Sequence, residues 1–599
     1  MKRIFASVVL FAFIFALFPA VFAAEKPWTE VRSPHFRVLT NGAIPDAMKV
    51  ARELEQLRWV FATRMPGARL ESGAPLLVLA ARDGDTAKSL EPGVWKGMGE
   101  HMAGVFHHGW ERQYATVRLD TWGGEGSKEV VYHEYTHTIL RLNSHWLPRW
   151  LNEGMAEYYA YTRFEAHRVY LGAPIEGYRT LREMTPMPVE TFIQSRMPTA
   201  SNERLFYTQA WALVHYLVYG DGMENGKRFD QFFGLLQQRV PQNKAFQDTF
   251  GDFKSVDKGL TAYMQQPTFA TTILRDPPQI EDKSITTRTL SVAETEAELG
   301  GFHLWMHRRD VARSLLEQAL KDDPKLGLAH ENMGFLDFAE GKDAEAANEF
   351  AQACALNGNL YLSQFARTMM SPLASSRAVS DVNSFGAALG KVLQINPQFA
   401  PAYVQLAKLA LLVNDLNSAL LIARKAEEIE PSLAGYHLLT GHVLQRLGKG
   451  GDAADAAKFV ADRWAGPDHN EAVELWNSVP AEQRPAGEVA FEAPKETQTV
   501  EGKVKSVVCP EKDQDWAFVL DQGGKLLTFH RKGGFATGFS DTIWYGGDHF
   551  DLCHHLEGLR AIVHYHAPAD ASYAGDIAEL EIRDDLPEPL AEAAQPAKP

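Results

Sequence analysis

A spacing of 34 residues recurs between about 290 and 480, and it constrains the fold of this 599-residue chain more than any other feature. Small and apolar residues occupy equivalent places in successive segments, and each segment closes at a proline or glycine. The first two sets are Gly300, Ala312, Leu316, Ala319 and Pro324, then Gly334, Ala346, Phe350, Ala353 and Gly358. A unit of this length buries its apolar face only by stacking on its neighbours, which indicates a helical array.

These positions resemble tetratricopeptide repeats (TPRs), which stack pairs of helices into a curved solenoid. Later members of the pattern are Ala407, Ala419, Ala426 and Pro431, which lies 34 residues after Pro397, and then Gly441 and Ala453. Small residues let helices approach closely, and proline ends a helix. The stretch 359–397 is longer and is interpreted as a degenerate unit. A generic helical bundle is the alternative.

The N-terminus carries a targeting signal. Lys2 and Arg3 precede an apolar run over 4–18, and small residues offer a cleavage site before Glu25. We therefore expect residues 1–24 to be a signal peptide and the mature protein to be periplasmic or secreted. An uncleaved anchor is the alternative, but the run is shorter than the ~20 residues that a membrane span needs.

Composition limits the partners. The formal net charge is −16 and no basic stripe is present, so nucleic acid is not an expected partner. No other transmembrane candidate appears, so no stable membrane span is expected after cleavage. Three cysteines occur. An exported protein meets oxidising conditions, yet the sequence leaves open whether Cys509 and Cys553 pair. Cys354 is interpreted as an apolar residue of the repeats.

The remaining chain divides by pattern into several parts. We predict a mixed α+β domain over 25–285, an all-α TPR solenoid over 290–480, a proline-rich linker over 481–498, a small all-β barrel-like domain over 499–586 and a disordered tail over 587–599. In the barrel region, Gly523 and Gly524 mark a hairpin between strands.

The first domain alternates strand and helix patterns. His35–Thr40 and Pro75–Ala81 are typical of strands, and Asp46–Arg64 is typical of an amphipathic helix. Met102–Phe106 and Tyr114–Leu119 are predicted to pair as a hairpin.

A possible metal site follows this hairpin. His133 and His137 flank Glu134 in a His-Glu-x-x-His pattern. On a helix, residues four apart lie one above the other, so both imidazoles can reach one metal ion. Glu134 then projects beside the metal, where it can take a proton from water. The pattern also occurs by chance, and a pair of surface helices is the alternative.

The downstream segment Trp150-Leu151-Asn152-Glu153-Gly154-Met155-Ala156 resembles the second zinc helix of gluzincin metallopeptidases, the peptidase MA-like group. The resemblance implies a zincin-like fold and one Zn²⁺ per chain, held by His133, His137 and Glu153 with a fourth position open. Glu157 lies one turn beyond Glu153 and is expected to accept the free ring N–H of a ligand histidine.

The resemblance also implies a mechanism. Glu134 accepts the proton of the attacking water, and a downstream tyrosine or histidine stabilises the oxyanion. Tyr207 is the candidate for this donor, or else a core tyrosine, and His145 and His215 are weaker alternatives. The peptide substrate is expected along an edge strand, for which Tyr114–Leu119 is the candidate, although an internal strand is equally open.

Three functions follow. The first is an exported zinc peptidase whose repeats bind a protein substrate or partner. The second is a retired peptidase that binds zinc and acts as a TPR scaffold in envelope assembly. The third is a zinc hydrolase of a non-protein envelope component.

A C-terminal group without a known ligand spacing is interpreted as ordinary strand and loop residues rather than a second metal site. Its members are His549, Cys553, His554, His555, His564 and His566.

Overall fold

The computed structural model describes residues 27–109, 111–122, 127–175, 182–183, 185–195, 203–492, 494, 496–509, 515–531, 536–540, 547–568, 572–583 and 586–590. The predicted signal peptide and residues 591–599 of the predicted tail lie outside these ranges. Within the described residues, no helix combines the length and the apolar composition required to cross a membrane.

The strands form three sheets. They are β1 Thr29–Arg32, β2 Arg37–Thr40, β3 Leu76–Ala81, β4 Gly104–His107, β5 Gln113–Arg118, β6 Arg163–Glu165, β7 Arg168–Leu171, β8 Thr272–Arg275, β9 Thr286–Thr289, β10 Gln498–Val508, β11 Trp516–Gln522, β12 Lys525–Arg531, β13 Ala536–Phe539, β14 Arg560–His566 and β15 Gly575–Arg583.

The helices make up most of the chain. They are α1 Ile44–Arg64, α2 Gly84–Leu90, α3 Pro92–Met98, α4 Ser127–Asn143, α5 Arg149–Ala160, α6 Val189–Gln194, α7 Glu203–Tyr219, α8 Lys227–Gln237, α9 Gln242–Phe250, α10 Phe253–Met264, α11 Val292–Trp305, α12 Arg309–Asp322, α13 Gly327–Ala339, α14 Asp343–Leu356, α15 Tyr361–Met369, α16 Val379–Ile395, α17 Ala400–Leu412, α18 Leu416–Ile429, α19 Ala434–Arg446, α20 Gly450–Ala461, α21 Pro467–Ser478 and α22 Leu552–His555.

The first sheet has the strand order β4-β5-β3-β2-β1-β9. Strands β2, β3 and β5 run parallel, while β4 pairs antiparallel to β5 in the predicted hairpin. The outermost strand β9, at 286–289, comes from the segment just beyond the predicted end of the first domain. The sheet is therefore completed by residues that lead into the repeats.

The two faces of this sheet are covered by different parts of the chain. Val78 and Ala80 of β3 face α1 and α4 in one buried cluster. Leu77 and Leu79, alternating with them, join a second cluster that contains Phe302 of α11. Because successive strand residues point to opposite faces, a strand buried on both sides is continuously apolar. The first helix of the repeats thus covers the second face of the sheet.

The repeats are helix pairs whose connecting turns recur at the predicted spacing. His307, Gly341, Asn414 and Gly448 all take left-handed backbone conformations, with φ of 54°, 74°, 58° and 74°. Each lies in the turn between the first and second helix of a pair. His307 and Gly341 are 34 residues apart, and so are Asn414 and Gly448. The poorly fitting stretch 359–397 forms a pair too, α15 and α16, joined by a longer connection.

The predicted small positions are points of close helix approach. A Cβ atom on Gly334 would lie 2.8 Å from the Phe350 ring of the partner helix, and one on Gly300 would lie 2.8 Å from Leu316. A contact that short forces the helices apart. The TPR-like repeat predicted from these residues is confirmed by the chain's own packing.

The C-terminal strands close into the predicted small barrel. The order β12-β11-β10-β14-β15 is closed by parallel pairing of β12 with β15, and β13 extends it beside β15. Gly523 and Gly524, with φ of 61° and 96°, form the predicted hairpin turn between β11 and β12. A disulfide joins Cys509 to Cys553, and Cys354 is a half-buried free thiol on α14.

The start of the predicted tail is ordered on the repeats. The amide of Leu590 donates to the carbonyl of Leu412 at 2.8 Å, and Arg446 donates to the carbonyl of Pro587 at 2.8 Å. Leu590 is buried. Residues 587–590 therefore differ from the expectation of disorder, because α17 and α19 provide hydrogen-bond partners for them.

The β4–β5 connection ties the sheet to the repeats. Arg112 forms a buried ion pair with Glu331 of α13 and donates to Asn332 at 3.2 Å. The Tyr361 hydroxyl donates to the carbonyl of Glu111 at 3.0 Å. These polar contacts cross the apolar interface between the sheet and the repeats.

Replacing Arg112 with methionine should lower stability by about 3 kcal/mol, because it leaves the buried Glu331 carboxylate without its cation. Calorimetric unfolding of Arg112→Met would show a lower Tm. The matched control is Arg424→Met, at an exposed position, which should change stability by less than about 0.5 kcal/mol. Equal Tm values for the two variants would contradict a stabilising role for this pair.

Glu30 generates a pH-dependent contribution to stability. Burial raises its pKa, but hydrogen bonds and charge from Arg37 and Arg32 outweigh burial and lower it from 4.5 to about 2. The contribution is present above pH 4.5 and is lost as pH falls toward 2.

Glu30→Gln should therefore unfold at a lower temperature than wild type at pH 7, and the difference in Tm between the two proteins should narrow between pH 4.5 and 3. Glu557→Gln, at an exposed carboxylate, is the control; a constant gap would be the contrary result.

Candidate metal centre

Three side chains converge where α4 passes α5. The Nε2 atoms of His133 and His137 lie 3.0 Å apart, and Oε2 of Glu153 lies 3.5 and 3.4 Å from them. Four ligand atoms at about 2.0–2.2 Å around one Zn²⁺ are separated by roughly 3.4 Å. The two imidazoles and the carboxylate thus have the spacing of three ligands of one ion.

The carboxylate of Glu153 is poorly satisfied without a cation. Its Oε2 is buried and makes no well-directed hydrogen bond within the described residues. Burial raises the pKa of Glu153, but the imidazoles of His133 and His137 outweigh burial and bring it to about 2. An ionised carboxylate oxygen facing two imidazole nitrogens fits a divalent metal ion.

Polar contacts at the Nδ1 atoms orient the imidazoles of His133 and His137. Glu157 Oε1 lies 3.2 Å from Nδ1 of His133, as the spacing on α5 predicted, and Asn152 Oδ1 lies 3.1 Å from Nδ1 of His137. An acceptor at Nδ1 places the proton there and leaves Nε2 free for a metal. Sequence reasoning gave Asn152 no role, although it directly precedes Glu153.

Gly154 explains how α5 reaches this position. A Cβ atom there would lie 2.5 Å from the carbonyl oxygen of Ala210 and 2.6 Å from Val214, both on α7. Only glycine permits this close approach of α5 and α7. The glycine beside Glu153 thereby brings α7, which carries Tyr207, against the second ligand helix.

Tyr207 lies at the candidate site. Its ring centroid is 6.1 Å from that of His133, and the side chain lines the cavity in front of the three ligand residues. His215 lies elsewhere, fully buried, with its nitrogens bonded to the Tyr263 hydroxyl and the carbonyl of Gly172. His215 is therefore unsuited to be an oxyanion donor.

His108 is a site residue that sequence reasoning missed. It lies on the β4–β5 connection, and its Nε2 is 3.1 Å from Oε2 of Glu134. The ring also packs against Phe106 with centroids 4.6 Å apart. No local spacing relates His108 to Glu134, because the two meet only through packing of β4 on α4.

The strand next to the site differs from the expected one. Tyr114–Leu119 was the candidate edge strand, but β5 lies between β3 and β4 and is buried throughout. The edge is β4, Gly104–His107. Because β5 pairs with β3 on one side and with β4 on the other, β4 is the strand of the hairpin that has a free edge.

A cavity of about 620 Å³ opens in front of the ligands. Its walls come from both α4 and the repeats. The lining residues are His108, His133, Glu134, His137, Leu140, Arg141, Ser144, Trp146, Leu147, Asn152, Glu153, Tyr207, Ser432 and Trp464. The repeats therefore form one wall of the cavity and leave it open to a ligand.

A second group of possible ligands lies at the same interface. His145, Glu427 and His437 have ligand atoms within 4.8 Å of one another. Arg239 lies 3.4 Å from Glu427 and already supplies a positive charge there, which disfavours a metal ion. His145 is therefore next to the candidate centre without being part of it.

The C-terminal histidines have separate surroundings. His549 packs on Phe335, His555 stacks on Phe338, and His564 pairs with Glu581 at 2.9 Å. Among the described residues, none of them belongs to a group with metal-ligand spacing. His549 and His555 therefore pack between the barrel and the repeats, whereas His564 is paired within the barrel.

Comparison with known proteins bears on the repeats. No protein-family model matches the sequence, and no curated protein matches it. The solved structure of PilF from Pseudomonas aeruginosa matches at 15% identity, over 32% of this chain and 88% of PilF, with a TM-score of 0.27.

Two further solved structures cover a similar share. A thermophilic TPR protein of Thermus thermophilus matches at 16% identity, over 31% of this chain and 97% of its own, with a TM-score of 0.25. YrrB, described as a TPR protein with an unusual peptide-binding site, matches at 17% identity, over 31% and 92%, also with a TM-score of 0.25.

Asn152→Ala should weaken zinc binding by about 10–100-fold, because His137 loses the partner that orients its ring. Zinc affinity would be measured by competition with a chromogenic chelator. Asn383→Ala, on the exposed face of α16, is the matched control and should bind zinc as wild type does. An unchanged affinity in Asn152→Ala would mean that this contact does not orient His137.

Proposed function

We propose that this chain is an exported zinc-dependent peptidase of the gluzincin type. One observation carries the proposal: the two imidazoles and the Glu153 carboxylate converge at metal-ligand spacing, with Glu134 beside them in an open cavity. A structural zinc site is enclosed by four protein ligands, whereas three ligands facing a cavity suit catalysis.

Zinc, when bound by His133, His137 and Glu153, would supply a Lewis acid and make water acidic enough to ionise near neutral pH. Glu134 is placed to hold the proton that water gives up. Burial raises its pKa, but His108 and the two neighbouring imidazoles outweigh burial and lower it. Glu134 is therefore ionised at neutral pH, as a general base must be.

The other residues position the reacting groups. Glu157 and Asn152 fix the tautomers of the histidines, and Tyr207 faces the cavity as a donor for the developing oxyanion. His108, on the β4–β5 connection, contacts the Glu134 carboxylate at 3.1 Å. The free edge of β4 suits an extended peptide, which would pair with it as an added strand.

The repeats add a second role to the proposal. Their helices α11 and α13 are buried against the sheet and barrel, as the Phe302 and Phe338 contacts show. A protein partner would therefore contact the outer helices, where Leu421 of α18 is 74% exposed. The apolar N-terminal run motivates the periplasmic or secreted location.

A catalytically retired TPR scaffold is the second candidate. The contact between His108 and Glu134 favours it, because a side chain already engages the carboxylate that would act as base. Zinc would then have a structural role, and the repeats would carry the function through protein partners.

Glu134→Gln should retain about one zinc per chain and lose peptide hydrolysis by about 10²–10⁴-fold, because it removes the base but none of the three ligands. The measurement pairs zinc content with mass-spectrometric detection of cleavage in a broad peptide library. Glu557→Gln is the control and should cleave as wild type does.

The outcomes separate the two candidates. Zinc in both proteins with cleavage by wild type alone supports the peptidase. Zinc in both with no cleavage by either favours the scaffold. Carefully prepared wild type without zinc would contradict both, since each assigns the metal to His133, His137 and Glu153.

A further inference from the structure

Arg141 continues the ligand face of α4. It follows His137 by four residues and His133 by eight, so all three side chains project from one side of the helix. The guanidinium lines the same cavity as the ligands, and 28% of its side chain is exposed. Four helical residues rise about 6 Å, which sets the approximate distance along the helix between Arg141 and His137, the nearer of the two histidines.

The hydrogen-bonding capacity of Arg141 is largely unused. Its ion pair among the described residues is a long one, 3.5 Å from Nη1 to Oε2 of Glu430, and its Nε makes no hydrogen bond there. Burial raises the pKa of Glu430, which weakens that carboxylate as a counter-charge. Arg69 lies near the same carboxylate and lowers its pKa, so two cations share one buried acid.

The walls beside Arg141 are apolar and come from two parts of the chain. Leu140 belongs to α4 and Trp146 to the segment between the metal helices, while Trp464 belongs to the repeats. Arg463 contacts both walls. Its guanidinium lies 5.7 Å from the centroid of the Trp146 ring and 4.4 Å from that of the Phe459 ring, which belongs to the repeats. The result is a cation at the end of an aromatic and aliphatic compartment.

We propose that Arg141 binds the C-terminal carboxylate of a peptide, with the last side chain held between Trp146 and Trp464, so that one or two residues are released from the C-terminus. The proposal deepens the peptidase function and depends on it. A guanidinium pairs with a carboxylate through two parallel hydrogen bonds, which a peptide amide cannot reproduce.

The length of the released piece follows from the helix. An extended peptide advances about 3.3–3.6 Å per residue, so about two residues span the 6 Å rise between His137 and Arg141. In the reaction, water oxygen bonds to the scissile carbonyl carbon and the C–N bond breaks. The leaving nitrogen takes up the proton, giving a shortened acid and a free amino acid or dipeptide.

The test measures binding to the zinc-loaded Glu134→Gln protein, which removes turnover. Two N-acetylated tetrapeptides ending in phenylalanine, one with a free carboxylate and one amidated, are titrated by calorimetry. We expect amidation to weaken binding by about 10–100-fold, the size of a lost charge-assisted hydrogen-bond pair.

Adding Arg141→Gln to the same background should abolish the difference between the two peptides while leaving zinc content unchanged. Adding Arg424→Gln instead should preserve it. The unfolding transition of each variant is recorded as a control for folding. Arg141→Lys keeps the positive charge but cannot form two parallel hydrogen bonds, so it should retain part of the preference for the free carboxylate.

Three results would be decisive. A preference for the free carboxylate that disappears with Arg141 supports the proposal. Equal binding of both peptides, with internal cleavage by wild type, overturns the role of Arg141 and leaves the peptidase function intact. If neither peptide binds and wild type cleaves nothing in the library, both the inference and the peptidase function fail.

Discussion

Burial of the second face of the first sheet is the interaction on which the rest of the structure depends. The sheet presents Leu77 and Leu79 away from α1 and α4, and Phe302 and Leu299 of α11 cover them. Complete burial of each such side chain contributes about 1.5–3 kcal/mol, so bare strands would lose much of a domain's net stability. The repeats consequently act as the second layer of the sheet and not as an appended module.

The same arrangement explains the composite cavity. While α11 packs at the start of the repeats against the sheet, later repeats contact the region of the ligand helices, where Arg141 of α4 pairs with Glu430. Arg69 donates to the carbonyl of Ile429, and Trp464 reaches the cavity. The metal ligands lie on α4 and α5, two helices that are adjacent in the sequence. The shape of the surrounding cavity, in contrast, depends on residues about 300 positions away, such as Ser432.

The sequence predicted features set by local spacing, and it failed where distant segments meet. The i, i+4 relation places His133 above His137, and the one-turn step from Glu153 to Glu157 brings an acceptor to the first histidine. The 34-residue pattern likewise indicated the helix pairs. His108 and the edge position of β4 were missed, because strand order and hairpin direction depend on long-range pairing that no short pattern encodes.

The shared sheet also has a consequence for the order of synthesis. A nascent chain that ends at residue 285 contains the parallel strands but neither β9 nor α11, so one apolar face has no cover. At about 5–20 residues per second, the missing segment up to Trp305 follows within roughly 1–4 s. During that interval the uncovered strands are exposed to chaperones and to aggregation.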